Sequence, residues 1–358
     1  MEKRLGLDFS SNDYLALSDS QPLKQAAIDA LQSGIGVGAG GSRLLRGNDT
    51  AHEKLEDIAA DFFGAEKTLF VGGGFNANMA IFSTLPQKGD LIVYDELIHA
   101  SAHEGMRLSK AHCVAFKHND AKAADNTIAA WLGEDETRKT NAKIWVAFES
   151  VYSMDGDIAD MSSFVTLADK YNGFAIIDEA HATGVFGEQG RGLAYAFHTQ
   201  KNIITLHTCG KALGVSGALI GAPSVLIDLL VNKARGFIYA TAPSPLNAAI
   251  VEASIDLLKT QPDLQKNLHQ LVEHAMQQCA QIAGQKPSGT TIQPIIIGDD
   301  KRTMEIAKNM RERGFDVRGI RPPTVPRGTS RLRITITLHN TKEQISQMFD
   351  ALKEELAK

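Results

Sequence analysis

One lysine stands where lysines are seldom found. The run Thr205-Leu206-His207-Thr208-Cys209-Gly210-Lys211-Ala212-Leu213-Gly214 passes from apolar residues through small and hydroxyl side chains into Lys211. More glycine follows, and no carboxylate lies close by in the chain. Desolvation among side chains of so little bulk lowers an amine's proton affinity and frees it as a nucleophile. Upstream, Phe174-Ala175-Ile176-Ile177-Asp178 reads as an apolar strand that delivers Asp178 at its C-terminal end. His181 follows three residues later.

A nucleophilic amine, an acid at a strand end and an imidazole just beyond it form the set that pyridoxal phosphate chemistry requires. The amine attaches the cofactor. The acid pairs with the pyridinium nitrogen and keeps it protonated, so that the ring can accept electrons. Each residue alone has a plainer reading, Lys211 as a surface cation and Asp178 as a turn residue. The string Asp178-Glu179-Ala180-His181 also occurs as a nucleotide-hydrolase motif. That reading needs a phosphate loop ending in Gly-Lys-Ser/Thr, whereas Gly210-Lys211 is followed by Ala212.

The elements that must hold these residues repeat as strand, loop and helix. Strands are expected at 67–71, 90–94, 113–117, 143–149, 174–178, 203–207 and 217–221. Helices are expected at 22–33, 51–63, 102–109, 122–132, 162–171 and 224–234, and from Gly74 to about Leu85. This alternation predicts an α/β fold with a mostly parallel sheet covered on both faces, which binds ligands at the carboxyl ends of its strands. His99, Ser153, Asp178, His181 and Thr208 fall at or just beyond such ends. Gly72-Gly73-Gly74-Phe75 joins a strand to a helix start, a geometry that suits an anion. Gly34 to Arg43 is dense in glycine and reads either as a flexible loop or as backbone passing close to a ligand or a partner subunit.

Beyond residue 246 the pattern changes to long helices at 246–259 and 264–283. An α+β segment follows, with strands at 292–297, 316–320 and 331–337 and helices at 301–313 and 341–356. The expected organisation is a short N-terminal segment (1–14), a large domain (15–257) and a small C-terminal domain (258–358). Alternation puts Arg331 and Arg333 on one strand face, either as plain polarity or as a bidentate fork for a substrate carboxylate.

Composition bounds the rest. A chain of 358 residues, 43% hydrophobic and 22% charged, can build two domains around a large core. Its net charge of −5 leaves no basic footprint for nucleic acid. The three cysteines, Cys113, Cys209 and Cys279, have neither metal spacing nor a disulfide framework, so no metal is expected and a reducing cytoplasm is. Met1-Glu2-Lys3-Arg4 leads into no apolar run of signal length, and no run approaches the roughly 18 apolar residues of a membrane span.

Several of these stretches together resemble the α-oxoamine synthases, fold-type-I pyridoxal phosphate-dependent transferases. They are Ser10-Ser11-Asn12-Asp13-Tyr14-Leu15, Gly40-Gly41-Ser42-Arg43, Gly74-Phe75, His99-Ala100-Ser101, Ser153-Met154-Asp155-Gly156-Asp157, Asp178-Glu179-Ala180-His181 and Gly210-Lys211-Ala212-Leu213-Gly214. The resemblance spans nearly the whole chain in family order. It implies that Lys211 carries the cofactor, Asp178 pairs with its ring nitrogen and His181 bonds its phenolic oxygen. By the same resemblance His99 would stack on the ring and assist proton transfer, and Ser153 and Thr208 would be polar contacts. Gly74 and Phe75 would offer backbone groups to the phosphate or ring. Thr241 would reach the phosphate of the neighbouring subunit of a homodimer. Asn12 and Arg333 would hold the amino acid carboxylate, and Thr324 would lie near the acyl substrate. Within the family, Ile320 through Pro326 and on to Arg333 is most like the member of biotin synthesis that condenses L-alanine with a pimeloyl thioester. Members using glycine or serine with another acyl-CoA, and a non-catalytic partner subunit, are the alternatives. Relatives usually carry a helical arm before the Ser-Ser-Asn-Asp-Tyr segment, which here begins at Ser10.

Overall fold

A computed structural model describes residues 6–358; Met1–Arg4, read above as leading into no signal sequence, lies outside them. Strands among the described residues are β1 (Leu7–Asp8), β2 (Lys67–Val71), β3 (Leu91–Asp95), β4 (His112–Phe116), β5 (Ile144–Glu149), β6 (Phe174–Asp178), β7 (Ile203–Thr208), β8 (Ala218–Ala222), β9 (Ile292–Gly298), β10 (Phe315–Asp316), β11 (Arg318–Ile320) and β12 (Ser330–Thr335). The chain divides into two compact units. The larger holds Leu17–Val151 and Ala159–Thr260. Among the described residues the smaller holds 6–16, Tyr152–Ile158 and Gln261–Lys358.

In the larger unit seven strands form one sheet in the order β2-β8-β7-β6-β5-β3-β4. Only β8 runs against its neighbours; the pairs from β7 out to β4 are parallel. All residues of β5 and β8 are buried. Since alternate side chains point to opposite faces, both faces must be covered. Trp145 and Ala147 join the core built on the helices Gly74–Thr84, Ala100–Leu108 and Ser224–Lys233. The next residue, Phe148, turns to the helix Met161–Lys170, where its ring lies 4.8 Å from that of Phe164. Phe164 also meets Phe116 at 5.3 Å. Such aromatic pairs contribute about 0.5–1.5 kcal/mol each beyond their buried area. Asp49, Asp120 and Asp160 start three of the helices by accepting first-turn N–H groups, each cap worth about 1 kcal/mol.

The smaller unit is α+β. An antiparallel sheet β11-β12-β9 packs with the helices Pro262–Cys279, Asp300–Glu312 and Lys342–Leu356 around Ile295, Met310, Leu332, Ile334 and Phe349. The stretch expected as one strand at 316–320 is two, β10 and β11, interrupted at Val317. β10 pairs in parallel with β1, and the Thr335 N–H donates to the Phe9 carbonyl at 2.8 Å. These bonds place the N-terminal residues in the smaller unit. Residues 152–158 belong to it as well, since the Thr290 hydroxyl donates to the Gly156 carbonyl at 2.8 Å. No helix among the described residues is long and apolar enough to cross a membrane.

Candidate active site

The carboxyl ends of β5, β6 and β7, with the loops after β2 and β3, bring Lys211, Asp178, His181, His99, Thr208, Gly74 and Phe75 together. They line one cavity of about 220 Å³ in the larger unit, with Asn78, Ser101, Glu149 and Ala180. Register aligns the strand ends: Asp178 stands opposite Glu149 on β5 and Leu206 on β7. Lys211 Nζ lies 2.9 Å from His181 Nε2. One Asp178 oxygen accepts the Ala180 N–H at 3.0 Å, and the other accepts the Asn78 amide at 3.0 Å. His99 begins the helix Ala100–Leu108, with its Nδ1 accepting the Ser101 N–H. Burial holds the His99 imidazole below the ordinary histidine range, against the opposing pull of Asp178. Cys209 is completely buried and burial pushes its thiol up, so it packs as a small apolar residue.

The residues suit pyridoxal phosphate. An amine, a carboxylate and an imidazole converge on one cavity. The helix Gly74–Thr84 at its rim has no side-chain cap, and its N-cap is Gly73, so its first N–H groups are left to a ligand. A Cβ on Gly74 would stand 2.6 Å from Thr208 Cγ2. Only glycine therefore lets the helix start lie this close to the end of β7.

Asn12, Ser153, Thr324 and Arg333 belong to the smaller unit. Arg333 is buried; its Nε donates to the Ser153 carbonyl at 2.7 Å and its terminal nitrogens donate to Thr335 Oγ1 at 2.9 Å and Asn12 Oδ1 at 3.0 Å. Those bonds use three of a guanidinium's five N–H donors and leave two for a ligand. Arg331 corrects the fork read from alternation. It shares the face and the burial, but its guanidinium is taken by Asp155, the Met154 carbonyl and the Thr329 carbonyl. Arg331 anchors the 152–158 loop with its charge paired to Asp155, whereas Arg333 bonds only to neutral oxygens and keeps its charge for a ligand. Thr324 is exposed in the loop after β11. Thr241 lies outside the Lys211 cavity and lines a small separate one with Arg43, Gly72 and Asn76.

Asn78 and Glu149 escaped the sequence reading, and Ser101 entered it only as part of the His99-Ala100-Ser101 stretch, with no role. All three are buried polar residues. Asn78 lies four residues after Gly74, one turn down the face that starts at the glycine turn, and that spacing could have found it.

Comparison with known proteins agrees with this geometry. Residues 5–352 match the family described as Aminotransferase class I and II. The 8-amino-7-oxononanoate synthase of Chromobacterium violaceum is 37% identical over 98% of this chain and 90% of its own. That of Emericella nidulans is 39% identical over 97% of this chain and 88% of its own. Among solved structures, serine palmitoyltransferase of Sphingomonas wittichii superposes with a TM-score of 0.89 at 28% identity, covering 98% of this chain and 86% of that one. The 8-amino-7-oxononanoate synthase of Francisella tularensis gives 0.79 at 26%, with 98% of both chains covered. A nearly full-length match, on a sheet whose strand ends gather an amine, an acid and two imidazoles, makes this chain a pyridoxal phosphate-dependent acyltransferase of the aminotransferase class I and II family.

Proposed function

We propose that the enzyme condenses L-alanine with a pimeloyl thioester, of coenzyme A or of a carrier protein, releasing carbon dioxide and the thiol and forming 8-amino-7-oxononanoate for biotin synthesis. The carrying observation is the set of relatives so named, putatively in some cases, that match 96–98% of the chain at 34–39% identity. The bound cofactor supplies an electron sink for charge developing at the amino acid Cα. Lys211 holds the cofactor and afterwards takes and returns the Cα proton, with His181 Nε2 at 2.9 Å to share the proton. Asp178, fixed by two donors, faces the ring nitrogen. His99 covers the ring and keeps water from it, and Thr208, Gly74 and Phe75 bind the cofactor's polar edge. Arg333 and Asn12 orient the amino acid carboxylate, Ser153 supports Arg333 through its carbonyl, and Thr324 lies toward the acyl chain.

The enzyme acts as a homodimer in the cytoplasm, with Thr241 serving the partner's phosphate site. Val37 (69% exposed) and Leu45 (81%), within and just beyond the glycine-dense stretch, are bare apolar side chains that a partner subunit would cover. A second reading, condensation of serine with a longer acyl-CoA, is favoured by the higher TM-score to serine palmitoyltransferase. L-Alanine and L-serine, each labelled at the carboxyl carbon and supplied separately, distinguish the two. Labelled carbon dioxide released from alanine with pimeloyl-CoA supports the first reading. Release only from serine with a long-chain acyl-CoA supports the second.

A further inference from the structure

Asn78 and Ser101 are almost fully buried, at 3% and 1% exposed, and no role in the reaction has yet been given to either. Asn78 lies on the helix Gly74–Thr84 and Ser101 on the helix Ala100–Leu108. The two helices touch closely at Gly105, where a Cβ would come within 2.7 Å of the Asn78 carbonyl oxygen. That approach lets the Asn78 amide nitrogen reach two targets, Asp178 Oδ2 at 3.0 Å and Ser101 Oγ at 2.9 Å.

The proton directions follow from chemistry. A backbone N–H can only donate, so the Ser101 N–H at 3.2 Å makes His99 Nδ1 an acceptor. Ser101 Oγ, 2.8 Å from the same nitrogen, must then donate its single proton there. Having spent that proton, the hydroxyl can only accept from Asn78. The carboxylate oxygen at the other end also accepts, so the amide must present its nitrogen to both. The chain of donors therefore runs outward from Asn78, to Asp178 on one side and through Ser101 to His99 on the other. It ends on an imidazole with its proton on Nε2. Asp178, Lys211 and His103 are the other charged or titratable groups around that ring.

We propose that Asn78 is a positioning residue for the reaction: it ties Asp178 directly, and His99 through Ser101, into one array that keeps His99 a neutral Nε2–H imidazole beside the cofactor ring. The consequence for catalysis rests on the function proposed above; the array itself does not.

The test uses the full-length, cofactor-loaded enzyme and the variants Asn78→Ala, Asn78→Asp and Ser101→Ala. Long-range ¹⁵N–¹H spectra with imidazole-labelled histidine read the tautomer, and steady-state kinetics read kcat and KM separately. In the unaltered enzyme His99 should carry its proton on Nε2 alone. Asn78→Ala should retain the cofactor and lower kcat about 10–100-fold, the loss typical of removing an outer partner that orients a functional group. KM for the amino acid should change far less. Asn78→Asp, although isosteric, should be slower than Asn78→Ala, because it cannot donate and sets a second carboxylate beside Asp178; a purely structural role gives the opposite order. Ser101→Ala should move the His99 ring signals, and it carries the test if the Asn78 variants do not fold. Unmoved His99 signals in Ser101→Ala, a protonated His99 Nδ1 in the unaltered enzyme, or Asn78→Asp outpacing Asn78→Ala would overturn the proposal. Failure of the unaltered enzyme to turn over alanine would count against the proposed substrate and leave the spectroscopic result to stand or fall by itself.

Discussion

Glu179 follows Asp178 into a completely buried site, where burial pushes its carboxyl from 4.5 up to about 7. One oxygen accepts the Ala194 N–H at 3.2 Å. The loop closes on it so tightly that a Cβ at Gly192 would stand 1.8 Å from that oxygen. The folded state thus binds a proton that the unfolded chain releases near 4.5. The associated stability is complete below that pH and is lost as pH rises toward about 7. Each tenfold difference in proton affinity is worth about 1.4 kcal/mol, so the full loss is on the order of 3 kcal/mol. Glu179→Gln removes the titration and keeps the shape. Denaturant unfolding of both proteins at pH 5, 6, 7 and 8 isolates the effect, since titrations elsewhere cancel in the difference. The stability of the parent relative to Glu179→Gln should fall by about 2–3 kcal/mol across that range and level off above pH 7. A difference that is flat with pH, or that rises, would refute the reasoning.

Lys211→Ala should abolish turnover, and borohydride reduction of the loaded parent should leave the pyridoxyl adduct on the peptide containing Lys211; an adduct on another lysine contradicts the assignment. Asp178→Asn should keep the cofactor bound and lower kcat on the order of 10²–10³-fold, the cost of removing one preorganised electrostatic partner, and an unchanged kcat would remove Asp178 from the ring nitrogen. Arg333→Lys keeps the charge but loses the planar fork, so KM for alanine should rise roughly tenfold, about 1.4 kcal/mol, while cofactor affinity stays the same. Gly74→Ala forces the helix start away from Thr208; equilibrium dialysis should show weakened cofactor binding, and parental affinity would contradict the close approach.

The parallel sheet was legible because β5, β6 and β7 are short apolar runs closed by polar residues, and strand order then places their ends together. Lys211 and Asp178 stood out because each breaks its local pattern. The partners that aim them did not. Asn78 lies inside a helix and acts on Asp178 across |i−j| = 100 residues, a distance at which local periodicity carries no information. Alternation correctly set Arg331 and Arg333 on one face, yet their difference in chemistry comes from Asp155, which reaches Arg331 from a remote loop. The extended character of Leu7-Asp8-Phe9 could be read, but the pairing of β1 with β10 near the other end of the chain could not. What the sequence shows is pattern within an element; what it hides is which distant polar group satisfies a buried one.

The most direct measurement is thiol release by the cofactor-loaded enzyme given pimeloyl-CoA, with L-alanine, glycine and L-serine in parallel. Release with alanine far above the other two is the expected result. Release with serine or glycine instead, while alanine stays at background, would contradict the proposed function.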